Sequence, residues 1–147
     1  MNRDALARIL ENYKQGSLDL KGALEQLKDF PSAELGYAVI DSHRELRTGY
    51  PEVVYCAGKT PAQVRGILER MLKSEGAVLG TGADPAHAEA CRDLSPALIY
   101  DPLSRTLVRK PNQTPSDKGF VAVVAAGTSD LPVAEEAAVT AEVFGNR

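Results

Sequence analysis

Gly119–Arg147 reads GFVAVVAAGTSDLPVAEEAAVTAEVFGNR, and this stretch decides the fold. Its opening, FVAVVAAG (120–127), is apolar without alternation, which predicts a strand buried on both faces of a parallel sheet. The turn GTSDLP follows, and then VAEEAAVTAEVFG (133–145), whose alanine and glutamate content predicts a helix. Strand, tight glycine turn and helix make half of a βαβ unit, so the expected fold class is α/β.

The turn has residues suited to phosphate or ribose chemistry. Gly127 permits unusual backbone angles and close approach of a ligand to the main chain. Thr128 and Ser129 set hydroxyls beside the unpaired N–H groups of a helix start, where the dipole favours an anion by about 0.3–1 kcal/mol. Asp130 is a carboxylate acceptor for ribose hydroxyls. Gly127, Thr128, Ser129 and Asp130 are therefore the candidate substrate-binding residues. The same residues also suit a helix with no ligand: Ser129 and Asp130 are common N-caps, and Pro132 is an ordinary early helical residue. Glu135 and Glu136 favour a helix N-terminus and would oppose a phosphate. GTSD is neither a Walker loop nor GxGxxG, so on pattern alone the helix-start reading without a ligand is slightly favoured.

Upstream, residues 111–118 (PNQTPSDK) hold two prolines and little to bury, which predicts a linker. The expected organisation is a small N-terminal α+β domain (1–110), the linker (111–118), and the first strand and helix of an incomplete Rossmann-like parallel-sheet domain (119–147). Within the first 110 residues, Leu6, Ile9, Leu10 and Tyr13 predict a helix ended by Gly16, and Leu20, Ala23, Leu24 and Leu27 a second one capped by Ser17 or Asp19. Tyr37–Asp41, Val53–Tyr55 and Ala77–Gly80 read as strands. Thr60-Pro61 and Asp84-Pro85 open helices, and Ala97–Asp101 faces Thr106–Lys110 across a hairpin turn.

Hydrophobic residues make up 44% and charged residues 25%, the balance of a soluble globular protein. No apolar run reaches the roughly 20 residues of a membrane span, and the N-terminus lacks a signal peptide's apolar core, which points to the cytoplasm. Lys and Arg number 17 against 20 acidic residues, with no basic block and no Trp, so nucleic acid is not an expected partner. Cys56 and Cys91 form no CxxC pair, and only His43 and His87 could join them in a zinc site, so two reduced thiols and no metal are expected.

The segment DSHRELRTGYPEVVYCAGKT (41–60) together with residues 119–147 resembles the LarB family, whose catalytic domain is similar to the aminoimidazole ribonucleotide carboxylase and mutase fold. Asp, Arg, Arg-x-Gly, Pro-Glu-Val and Gly-Lys-Thr recur in the family's order. The resemblance implies a synthase of pyridinium-3,5-biscarboxylic acid mononucleotide, on the route to the nickel-pincer nucleotide cofactor of lactate racemase. Such an enzyme carboxylates nicotinic acid adenine dinucleotide at C5 of the pyridinium ring, with CO2 or bicarbonate as co-substrate, and hydrolyses the phosphoanhydride to release AMP. It admits Mg2+ for the hydrolysis and implies a homo-oligomer formed through the complete catalytic domain.

The resemblance places the family's reactive cysteine beyond Arg147. Neither Cys56 nor Cys91 matches it, so no catalytic residue is expected in this chain, and the fragment is expected to be inactive alone. Arg44, Arg47, Glu52 and Lys59 are the matching polar positions of the upstream signature. They imply either a contact to substrate phosphate or carboxylate, or an ion-pair network at an interface. Thr81-Gly82 departs from the family's Thr-Arg. The rival readings are a non-catalytic binding or oligomerisation module and an aminoimidazole ribonucleotide carboxylase.

Overall fold

The computed structural model describes residues 3–28, 32–74, 76–110 and 120–146. They fall into two compact units, Met1–Glu52 and Val53–Arg147. The expected linker at 111–118 lies outside the described residues. The boundary that is found, between Glu52 and Val53, is one the sequence reading did not place.

In the first unit, α1 (Arg3–Lys14) packs on α2 (Leu20–Leu27). Gly16 ends the first helix with φ +75, a conformation that costs other residues a steric clash, and its N–H donates to the Tyr13 carbonyl. Asp19 then caps α2, its Oδ1 accepting the Gly22 N–H at 2.7 Å. The apolar stripes are sparsely used: Ile9 and Ala23 are the buried residues of these helices. A two-stranded antiparallel ribbon follows, β1 (Ser32–Glu34) against β2 (Val39–Asp41), with buried Ala33 opposite buried Ile40. The short helix α3 (Arg44–Thr48) closes on Gly49 at φ +77.

The second unit is built on a four-stranded sheet of order β3-β4-β6-β5, formed by Val53–Tyr55, Val78–Thr81, Thr106–Arg109 and Ile99–Asp101 respectively. β3 and β4 are parallel, joined by α4 (Pro61–Met71), while β6 runs antiparallel to both β4 and β5. The fold is thus mixed α/β with a mixed sheet. Helix α4 begins in a full capping box: Thr60 Oγ1 accepts the Gln63 N–H and Gln63 Oε1 accepts the Thr60 N–H. Its stripe Val64, Ile67, Leu68 and Met71 is buried, and the helix packs on β3, β4 and α5 (Pro85–Cys91). No glycine stops α4. Instead the Arg109 guanidinium donates to the carbonyls of Leu72, Ser74 and Gly76, acceptors that a helix end leaves unpaired.

Side chains alternate across a sheet, so Leu79 and Gly80 face opposite ways. Leu79 and Val108, paired across β4 and β6, form a core with Val143 of α6 (Leu131–Val143), edged by Val53, Ala77, Val139 and Phe144. On the other face, a side chain at Gly80 would meet Cys56 Sγ at 3.0 Å and Leu107 Cβ at 3.6 Å, so the core there has no room for one.

One expectation is corrected. FVAVVAAG does not form a strand: residues 120–126 are irregular, with Phe120 80% and Val124 91% exposed. A strand needs a neighbour for its main-chain N–H and C=O groups, and among the described residues none pairs with this segment.

Candidate functional site

The turn before α6 gathers Gly127, Thr128, Ser129 and Asp130 at one point. Thr128–Asp130 is a single 3-10 turn, with the Asp130 N–H donating to the Gly127 carbonyl at 3.0 Å. Gly127 itself is extended (φ −101, ψ 148), so its use is space and not an unusual angle. A Cβ there would lie 3.2 Å from Asp130 Oδ2 and 3.5 Å from Ser129 Oγ. The carboxylate and hydroxyl therefore converge over the glycine.

Neither side chain caps the helix. Asp130 has helical backbone angles (φ −86, ψ −15), whereas a capping residue is extended so that its side chain can turn back to the free N–H groups. Asp19, Thr60 and Asp84 in this same chain all show that extended geometry and the bond that goes with it. The first turn of α6 leaves little open main chain, because the Leu131 N–H donates to the Thr128 carbonyl and Pro132 has no N–H; what the turn exposes is the Thr128 and Ser129 hydroxyls and the Asp130 carboxylate.

The upstream signature forms a charged cluster in the first unit. Arg47 Nη2 donates to Asp41 Oδ2 at 2.5 Å, and the His43 N–H donates to Asp41 Oδ1 at 3.1 Å. Desolvation raises the Asp41 pKa, but these bonds and the two positive neighbours outweigh it and hold the carboxyl below the ordinary value. Glu52 behaves oppositely. Its Oε2 is buried without a hydrogen bond, and Arg44 Nε stands 3.8 Å away. Desolvation lifts Glu52 above its ordinary pKa, with Arg44 opposing the rise and Asp41 adding to it. Arg44 and Arg47 thus face carboxylates of their own unit.

Lys59 belongs to the second unit, in the loop after β3. Its Nζ donates to the Tyr55 carbonyl at 2.6 Å, and its own carbonyl is bonded by His87 Nε2 at 2.9 Å. Because a carbonyl only accepts, Nε2 carries the proton, leaving Nδ1 to accept the Asp84 N–H at 3.1 Å. Cys56 and Cys91 are fully buried. Burial, reinforced by Cys91, pushes the Cys56 thiol up to about 11, and burial raises Cys91 as well. Thiols of this kind are inert. Among the described residues no three His, Cys, Asp or Glu side chains gather as a metal site, and no helix is long and apolar enough to cross a membrane.

Sequence reasoning missed several contacts around the β4–α5 loop. Gly82 adopts φ +61 with the Tyr55 ring and Ala57 packed over it, and its N–H donates to Glu136 Oε2 of α6 at 3.3 Å. Arg105 takes a left-handed φ of 54 at the end of the hairpin turn, where glycine is usual. It exchanges two bonds with Ala83: the Ala83 N–H donates to its carbonyl, and its Nε to the Ala83 carbonyl. A separate cavity of about 310 Å³ between α5 and the β5–β6 hairpin is lined by Ala88, Cys91, Leu98, Tyr100 and Leu107 among others, and includes none of the candidate residues.

Comparison with known proteins bears on this arrangement. Residues 32–111, more than half of the chain, match the family described as the LarB/PurE-like N-terminal domain. The chain belongs to that family. It is also 29% identical over 152 residues to an uncharacterized protein of Methanocaldococcus jannaschii, an alignment covering 95% of this chain and 57% of that relative. The chain therefore spans little more than half the length of the curated relative it matches.

Proposed function

We propose that the chain contributes the substrate-holding turn of an enzyme that carboxylates nicotinic acid adenine dinucleotide at C5 of its pyridinium ring and hydrolyses the phosphoanhydride, yielding pyridinium-3,5-biscarboxylic acid mononucleotide and AMP. The observation that carries this reading is the uncapped start of α6, with Ser129 Oγ and Asp130 Oδ2 converging over Gly127. A substrate phosphate suits the exposed Thr128 and Ser129 hydroxyls, and ribose hydroxyls suit the Asp130 carboxylate.

In the chemistry, a thiolate adds to the electron-poor ring and the resulting enamine carbon C5 attacks CO2; loss of the C5 proton to a base and expulsion of the thiolate then restore the aromatic ring. Cys56 and Cys91, buried and with raised pKa values, do not suit the thiolate role. The nucleophile, any Mg2+ used in the hydrolysis, and assembly into a homo-oligomer are assigned to parts of the enzyme outside this chain. Arg44 and Arg47, engaged with Glu52 and Asp41, suit an interface network better than a phosphate contact.

The test is the double variant Ser129→Ala, Asp130→Ala, titrated with nicotinic acid adenine dinucleotide and unfolded in urea. Weakened binding with unchanged stability is expected. Unchanged binding with a loss of about 1 kcal/mol would instead identify the pair as a helix cap.

A further inference from the structure

We propose that Glu136 is a positioning residue: by accepting the Gly82 N–H, it holds the start of α6, with the GTSD turn, over the carboxyl ends of β3 and β4. The bearing of this role on substrate rests on the nucleotide reading given above.

The register of the helix on the sheet supports the assignment. Glu136 meets Gly82, just past the end of β4, while Val143 meets Leu79 within that strand. Seven helical residues span about 10 Å, and three residues of strand also span about 10 Å. Helix and strand therefore run side by side in opposite directions, and Asp130 lies about 9 Å beyond Glu136, past the strand ends. Ligands of parallel α/β sheets bind on that side.

Apolar burial does not hold this end of the helix. Val143 is the buried residue of α6 and sits at its far end, where Lys110 also pairs with Glu142 at 2.7 Å. Leu131 and Val133, by contrast, are 49% and 73% exposed. Among the described residues, the Glu136 bond is a long-range polar contact that fastens the first half of α6. It is made to a glycine at φ +61, where a Cβ would stand 3.1 Å from Tyr55 Cε2. It also directs at the sheet a charge that would otherwise oppose an anion bound at the turn.

Glu136→Ala and Glu136→Gln, made in this chain, test the role by nuclear magnetic resonance and by titration with nicotinic acid adenine dinucleotide. In Glu136→Ala, exchange of the Gly82 amide should quicken, order parameters over 128–133 should fall, and nucleotide affinity should drop about tenfold. Glu136→Gln keeps a neutral acceptor and should restore most of each. Unchanged Gly82 exchange and unchanged order in the alanine variant would overturn the proposal, as would altered order with unaltered affinity. If the wild-type chain binds no nucleotide, the functional reading fails, and the latch is judged on the exchange and order measurements alone.

Discussion

His87 Nε2 lies 2.9 Å from the Lys59 carbonyl, so one buried imidazole joins the start of α5 to the loop that follows β3. The same ring closes the capping box of α5 on Asp84. Two parallel strands therefore have their following loops fixed to one another by a side chain that is 3% exposed.

His87→Ala should cost about 2–3 kcal/mol, because it removes a cap partner and leaves buried groups unpaired. Urea denaturation measures this directly. An unchanged midpoint would mean the box and the carbonyl bond carry no stability.

Gly82→Arg, which installs the residue the family resemblance leads one to expect, should destabilise the chain. A Cβ at φ +61 would stand 3.1 Å from Tyr55 Cε2 and 3.3 Å from Ala57 Cβ. The left-handed conformation alone costs about 1–2 kcal/mol, a fall of roughly 2–8 °C in Tm for a chain of this size. A thermal melt at or above that of the wild type would refute the strain argument.

Neither thiol should react in the native state. With Cys56 at about 11, roughly one thiol in a thousand is ionised at pH 8, and both sulfurs are enclosed. Mass spectrometry after iodoacetamide treatment should find no adduct without denaturant and two adducts with it.

Acid should weaken the fold with a definite sign. Asp84, Asp93 and Asp101 all lie below the ordinary value of 3.8, held chiefly by the His87 N–H, by Arg65 and by the Leu103 N–H respectively. Their contribution is complete above about 3.8 and is lost as the pH falls through their lower folded values. Glu52 is raised by desolvation, so its contribution is present below 4.5 and lost as the pH rises through its folded value. Glu52→Gln should therefore gain on the wild type toward neutral pH and match it in acid. Denaturation midpoints from about pH 3 to about pH 7 check both halves.

How much of this was legible depended on whether the signal was local. The caps Asp19, Thr60 and Asp84 stand directly before the helices they start, and the hairpin turn at 102–105 separates two short β-prone runs, so these elements could be read. β1 and α3, at three and five residues, are too short for any periodicity to show. FVAVVAAG misled because an unbroken apolar run says what a segment would bury if covered and does not say what covers it. The GTSD turn is contiguous and was visible as residues. Whether Asp130 capped its helix turned on a backbone angle that composition does not encode. The Glu136–Gly82 bond joins positions 54 residues apart, and nothing near either residue announces it.

The irregular stretch at 120–126 also separates two kinds of connection. Its main chain is open to solvent, whereas α6 is fastened to the sheet by the Val143 core, by Glu136 and by the Lys110–Glu142 pair. A protease that cuts between Val121 and Ala126 would nick the chain without freeing the helix, and the two pieces would travel as one particle until denaturant parted them.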